Sequence, residues 1–131
     1  MRLISDDAIA VVTIFQEAEG ESFAGKLAVA EVIRNRMAKK YSSDGTIVGT
    51  CLRAMQFSGW NAMAGNRIRS VQIDSGSAIV NDCSVAWQQS AGSETVKGAV
   101  LYFAPAVVKR PNWADPAKLL AVVGRHEFYG P

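Results

Sequence analysis

One histidine, two cysteines and four prolines are spread over 131 residues, and each scarcity closes off a class of chemistry. His126 has no diagnostic serine or cysteine motif beside it, so no nucleophilic triad can be built. Cys51 and Cys83 stand far apart with only that histidine to help them, which leaves no metal-ligand spacing, and no metal or cofactor is expected. Two cysteines are also too few for a disulfide framework; reduced thiols packed as small apolar side chains are expected, with a single bridge between them as the alternative. A glycine-rich phosphate loop and a dinucleotide fingerprint are both missing. Net charge is only +2. The dense basic cluster Arg34, Arg36, Lys39 and Lys40 suits the negative end of a helix dipole, so no nucleic-acid partner is expected, even counting Arg67 and Arg69. The apolar run Ala8–Phe15 follows two aspartates in place of a basic segment and is too short to cross a bilayer, from which synthesis in the cytoplasm is the expectation. No repeat or low-complexity stretch appears. At this length, with 49% hydrophobic residues, a single monomeric domain over 1–131 is expected.

What is present is a carboxylate where a charge is least at home. Ala8–Phe15 is apolar on every side of a helical wheel except at Thr13, the pattern of a helix buried all round, and Glu17 stands two residues beyond it. Ser5, Asp6 and Asp7 suit the start of that helix, by capping free amides and by complementing its positive end. The other end violates the same rule: Glu17, Glu19 and Glu21 crowd a terminus marked by Gly20, where the dipole repels anions. Partial burial, the dipole and neighbouring carboxylates together disfavour the charged form of Glu17. A carboxylic acid that keeps its proton suits the protonation of a glycosidic oxygen. A solvated helix end carrying structural glutamates is the alternative.

The rest of the chain reads as mainly helical with a small β element, an α+β class. A second helix is expected over Ala24–Lys40, a polar turn over Tyr41–Gly45 and a short helix over Thr46–Met55. Gln56-Phe57-Ser58-Gly59-Trp60-Asn61 forms an aromatic, polar loop of the kind that binds ligands, and Ala62–Gly76 is irregular. A third long helix spans about Ser77–Ser90. Thr95–Ala104 has strand character, Pro116–Val123 suits a short helix, and Gly124–Tyr129 alternates as a short strand does. Phe57, Trp60, Tyr102, Trp113 and Tyr129 have the flat faces that pack on sugar rings, although a core is the commoner place for any one of them.

Ordered blocks of the sequence resemble one family. Thr13-Ile14-Phe15-Gln16-Glu17-Ala18-Glu19-Gly20-Glu21 and Gly25–Arg36 are similar to the opening signature of cell wall hydrolases of the SleB type, the spore-cortex-lytic family. Thr46-Ile47-Val48-Gly49 and Gln56-Phe57-Ser58-Gly59-Trp60 resemble its middle block; Ala99–Phe103, Pro111-Asn112-Trp113-Ala114 and Gly124–Tyr129 resemble its closing blocks. The likeness runs over nearly the whole chain. It implies a compact lysozyme-like fold and cleavage of the peptidoglycan glycan strand, between N-acetylmuramic acid and N-acetylglucosamine, by one essential glutamate, which falls on Glu17. Glu21, Gln56, Phe57, Ser58, Tyr102, Trp113, His126 and Tyr129 are then candidates for the substrate groove. Because Glu19 and Glu21 share a turn with Glu17 instead of facing it, a lytic transglycosylase giving 1,6-anhydro-muramyl ends is expected. A lysozyme-type muramidase and an inactive peptidoglycan-binding module are the alternatives. The chain departs from the family at Glu19, where arginine is usual, so any positive charge near the site has to come from elsewhere. By analogy, a bacteriophage lysin is expected, made in the host cytoplasm and reaching the periplasmic or extracellular wall with a separate holin-like membrane protein.

Overall fold

The computed structural model describes residues 5–53 and 78–131. Within them, α1 (Asp6–Ala18), α2 (Phe23–Lys39), α3 (Ile47–Cys51) and α4 (Ala78–Gln89) precede a three-stranded antiparallel sheet of β1 (Leu101–Phe103), β2 (Leu119–Val123) and β3 (His126–Tyr129). The fold is α+β, as the sequence suggests. None of the described helices is long and apolar enough to cross a membrane.

Each of the first three helices opens on a hydroxyl cap: Ser5 accepts from the Ala8 amide, Ser22 from Gly25 and Thr46 from Gly49. Ala10, Ile14 and Ala18 of α1 pack on Val29, Ala30 and Ile33 of α2, on Cys51 of α3 and on Cys83 and Trp87 of α4. A second cluster joins Ala28 and Val32 of α2 to Val96, Ala99 and Phe128, and so seats the sheet on the helices. α2 is therefore the helix surrounded by protein. α1, read as buried all round, keeps Val11, Val12 and Phe15 only half-buried. The periodic apolar content misleads here because small residues of α2 let its neighbours approach closely, while its charged residues are buried with partners.

Those partners explain a second difference. The extended character of Thr95–Ala104 narrows to Leu101–Phe103, because the stretch before it is hydrogen-bonded by side chains of α2 in place of a neighbouring strand. Glu31, 2% exposed, accepts from Ser93 Oγ (2.6 Å), Thr95 Oγ1 (2.9 Å) and the Val96 amide (2.9 Å). Lys39, Asn35 and Arg36 donate to the carbonyls of Gly98, Ala99 and Val100 at 2.6, 2.9 and 2.6 Å. Lys97 and Gly98 take left-handed backbone angles, φ 56° and 83°, which end any strand there.

Pro116–Val123 likewise differs from the short helix expected of it. Only Pro116–Lys118 makes a 3-10 turn, capped by Asp115, and Leu119–Val123 pairs with β3. A short apolar run is ambiguous between helix and strand, and the available edge of β3 decides it. The remaining helices agree with their expected spans to within one or two residues where they are described. The Thr46–Met55 element is shorter than expected, ending at Cys51 with Leu52 as its cap, and the whole of Ala62–Gly76 lies outside the described residues.

Both cysteines are free, fully buried thiols. Two measurements test this architecture. Replacing Glu31 with Ala removes the acceptor of three donors, strands the buried Val96 amide and should cost about 2 kcal/mol in urea unfolding; a loss below about 1 kcal/mol would show that the 93–96 turn holds without it. Burial pushes Cys51 and Cys83 up to about 11, whereas exposed thiols of the unfolded chain ionise near 9. The unfolded state therefore loses protons first, and their contribution to stability, complete below pH 9, is lost as pH rises through the folded values. Melting temperature should fall more steeply over this window in the wild type than in the Cys51→Ala/Cys83→Ala variant. Parallel curves would contradict the assignment.

Candidate active site

Strand alternation divides the sheet into two working faces. Tyr102 of β1 and His126 and Phe128 of β3 point toward the helices; Phe103, Glu127 and Tyr129 point the other way. On the inner face the rings are packed together, with Tyr102 edge-on to His126 (centroids 5.4 Å apart, planes at 73°) and tilted against Phe128 at 5.4 Å.

Glu17 enters this assembly from the last turn of α1. The Tyr102 hydroxyl donates to Glu17 Oε1 at 2.6 Å, a contact between residues 85 apart in sequence. Burial pushes the Tyr102 hydroxyl well above its ordinary range, and the negative charge of Glu17 and the hydrogen bond to it act in the same direction. Tyr102 therefore keeps its proton and is a hydrogen-bond donor to the carboxylate at any working pH.

Glu21 reaches the same region from the α1–α2 turn. Its Oε1 lies 3.6 Å from His126 Nδ1, while its Oε2 accepts from Arg125 Nε at 3.0 Å and from Arg125 Nη2. Hydrogen bonding to Arg125 is the main cause that lowers the pKa of Glu21, against a smaller opposing effect of burial. The close approach depends on Gly124, whose φ is 58° and where a Cβ would sit 3.2 Å from Glu21 Oε1. A continuous line of contacts thus runs from Glu17 through Tyr102, His126 and Glu21 to Arg125.

Four candidate residues, Glu17, Glu21, Tyr102 and His126, are brought together in this way. Gln56, Phe57 and Ser58 lie outside the described residues. Trp113 and Tyr129 are not brought to Glu17. They pack with Phe103 on the outer face, with Trp113 5.7 Å from Phe103 and 5.6 Å from Tyr129, and the Tyr129 hydroxyl accepts from Arg110 Nη1 at 2.8 Å and donates to Glu127. Aromatic composition cannot separate the two faces; strand parity can, once β3 is in register.

Two cations near the site carry no functional reading in the sequence. Arg125 is one. Arg36 is the other: 3% exposed, it has its pKa lowered chiefly by burial, while the negative charge of Glu17 acts in the opposite sense. Both supply positive charge to a region where Glu19 replaces the arginine usual in the resembling family. Other members of the basic cluster are structurally engaged, Arg34 lying 3.7 Å over the Trp87 ring and donating to Ser90 Oγ and the Trp87 carbonyl. A cavity of about 760 Å³ lined by Asp7, Val11, Val12, Arg34, Val80 and Trp87 opens between α1 and α4, on the side of α1 turned away from Glu17.

Most other described carboxylates are committed away from Glu17. Glu31 holds the 93–96 turn, Glu127 lies on the outer face, Asp44 and Asp115 bind Thr46 and the Ala117 amide, and Asp7 accepts from the Trp87 indole. Asp82 and Glu94 are exposed, and Glu19 shares the turn with Glu17. Among the described residues, no group of three or more His, Cys, Asp or Glu side chains could hold a metal ion.

A family model described as Cell Wall Hydrolase matches residues 20–129. The chain belongs to the cell wall hydrolase family. Two solved structures share its fold. One is the catalytic domain of the germination-specific lytic transglycosylase SleB from Bacillus anthracis, at 22% identity and a TM-score of 0.72 over 95% of this chain and 93% of that one. The other is the catalytic domain of the Bacillus cereus SleB protein, at 20% identity and a TM-score of 0.71 over 98% of this chain and 94% of that one. No curated protein matches the sequence significantly.

The Tyr102 bond to Glu17 yields a direct test. Tyr102→Phe keeps the ring packing and removes only the donor, so the turnover rate on purified wall should drop about tenfold or more with KM little changed, as expected for a charge-assisted hydrogen bond. An unchanged turnover rate would show that Glu17 needs no such tether.

Proposed function

We propose that this cell wall hydrolase is a lytic transglycosylase, cutting the peptidoglycan strand between N-acetylmuramic acid and N-acetylglucosamine with Glu17 as its acid and base. The observation that carries the reading is the setting of Glu17: one carboxyl at the end of α1, its Oε1 held by Tyr102, with the neighbouring Glu21 already engaged by Arg125 and His126. A two-carboxylate hydrolase requires a second carboxylate across the sugar, either to attack C1 or to activate water. Most of the described carboxylates have other places.

With a single acid the reaction closes on itself. Protonated Glu17 gives its proton to the glycosidic oxygen as the C1–O bond breaks. The substrate's N-acetyl carbonyl stabilises the cation left at C1. Glu17, now ionised, takes the proton from the C6 hydroxyl of the same sugar, and O6 bonds to C1 to form the 1,6-anhydro ring. Glu17 regains its proton, and no water enters. Tyr102 acts in both halves by fixing the carboxyl plane. Glu21 and His126 suit the binding of polar sugar substituents next to it.

The biological setting we propose, on the sequence reading alone, is bacteriolysis by a bacteriophage lysin that works as a monomer at the wall and reaches it with a holin-like membrane protein.

Glu17→Gln keeps the shape of the side chain and removes its titratable proton, so wall cleavage should fall by about a hundredfold or more with no loss of thermal stability. Muropeptides released by the wild type should be lighter by one water than hydrolytic products and should lack a reducing end in the mass spectrum. Reducing muramyl ends alone would establish a muramidase, and undiminished activity of Glu17→Gln would exclude Glu17 as the acid.

A further inference from the structure

The line of contacts that begins at Glu17 ends on a cation facing solvent. Arg125 sits at the β2–β3 turn with its side chain 66% exposed, whereas the Glu21 side chain that holds it is 7% exposed. Both of its hydrogen bonds go to Glu21 Oε2, from Nε and Nη2, which are the two nitrogens on one side of the guanidinium. Glu21 thereby uses the side-on fork and fixes the plane of the group. The end-on fork, formed by Nη1 and the second hydrogen of Nη2, has no partner among the described residues. That geometry is the one that receives a carboxylate through two parallel bonds.

The remaining Glu21 oxygen faces His126, so one buried carboxylate orients both a ring on the inner face of the sheet and a cation at its rim. A ligand group held by Arg125 is thus placed in register with Tyr102 and Glu17. Lys26 fixes the backbone of this corner: it is 4% exposed and donates to the Glu21 carbonyl. In a glycan strand of alternating neutral sugars, the anionic groups are on the muramyl substituent, either as carboxylates of its peptide or as the lactyl carboxylate once the peptide is removed.

We propose that Arg125 is a specificity residue that receives a carboxylate of the muramyl substituent and so selects strands bearing that charge. This rests on the strand-cleaving reading above. The selectivity belongs to Arg125 and not to the chemistry at Glu17, so it appears as a ratio of kcat/KM values between charged and uncharged substrates.

The test uses three forms of purified glycan strand: native, with carboxylates converted to carboxamides, and stripped of peptide by an amidase so that only the lactyl carboxylate remains. Wild-type kcat/KM should be on the order of fivefold higher on native than on amidated strands, the size expected of a partly exposed two-bond ion pair. In Arg125→Gln the ratio should fall to about one; in Arg125→Lys, which keeps charge without the fork, it should lie between. Stripped strands behaving like amidated ones show that Arg125 receives only a peptide carboxylate, and stripped strands behaving like native ones show that it also receives the lactyl carboxylate freed by removal of the peptide. If Arg125→Gln is inactive on every strand, the lysine variant decides, a ratio of one overturning the proposal and a ratio above one supporting it. A wild-type ratio near one, or an undiminished ratio in Arg125→Gln, refutes the role of Arg125 while leaving strand cleavage intact. Failure of the wild type to cleave any strand removes the underlying reading and this inference with it.

Discussion

A charged side chain taken into a protein interior has to be met there by a partner, and α2 carries three of them inward. Lys26, Glu31 and Arg36 are each nearly inaccessible, and each binds a different stretch of backbone: the α1–α2 turn, the 93–96 turn and the carbonyl of Val100. Burial makes these contacts obligatory, because an unpartnered charge in the same place would cost several kcal/mol. The path of residues 93–100 over the helix follows from that requirement. So does the entry of β1, and with it the position of Tyr102.

The site forms where two kinds of regularity meet. A helix end delivers Glu17, and a strand delivers Tyr102, whose hydroxyl closes the gap at 2.6 Å. Neither element alone explains a carboxylate at the unfavourable end of a dipole. Together they do, since the hydroxyl of Tyr102 and the charge of Arg36 oppose the repulsion that the helix imposes. The outer face of the sheet has a mechanical part in this. Arg110 ties the Ala114 carbonyl and the Tyr129 hydroxyl together, and the Phe103–Trp113–Tyr129 cluster braces the strands from behind.

Much of this was legible in the sequence wherever a local rule governs. The capping serines and Thr46 mark helix starts to within a residue or two, and the conflict of charge and dipole at Glu17 points to the residue that the sheet then contacts. What stayed hidden depends on distant partners. Thr95–Gly98 has the composition of a strand, but its donors go to Glu31. Leu119–Val123 is as compatible with a helix turn as with a strand until β3 offers an edge. Trp113 and Tyr129 resemble groove aromatics, and only the parity of a three-stranded sheet sends them to the back. Arg36 looked like an ordinary cation at a helix terminus, which is its place in sequence but not its surroundings in space.

The strand order β1-β3-β2 puts the last strand in sequence at the centre of the sheet. Tyr102 cannot be held from both sides, nor His126 brought to Glu21, until residues beyond 125 have emerged and paired. Contacts of such long sequence separation form late, after the local helices. A ribosome-bound chain would thus display Glu17 on α1 without a working site around it, and the ability to cut would arise all at once, when β3 takes its place between β1 and β2.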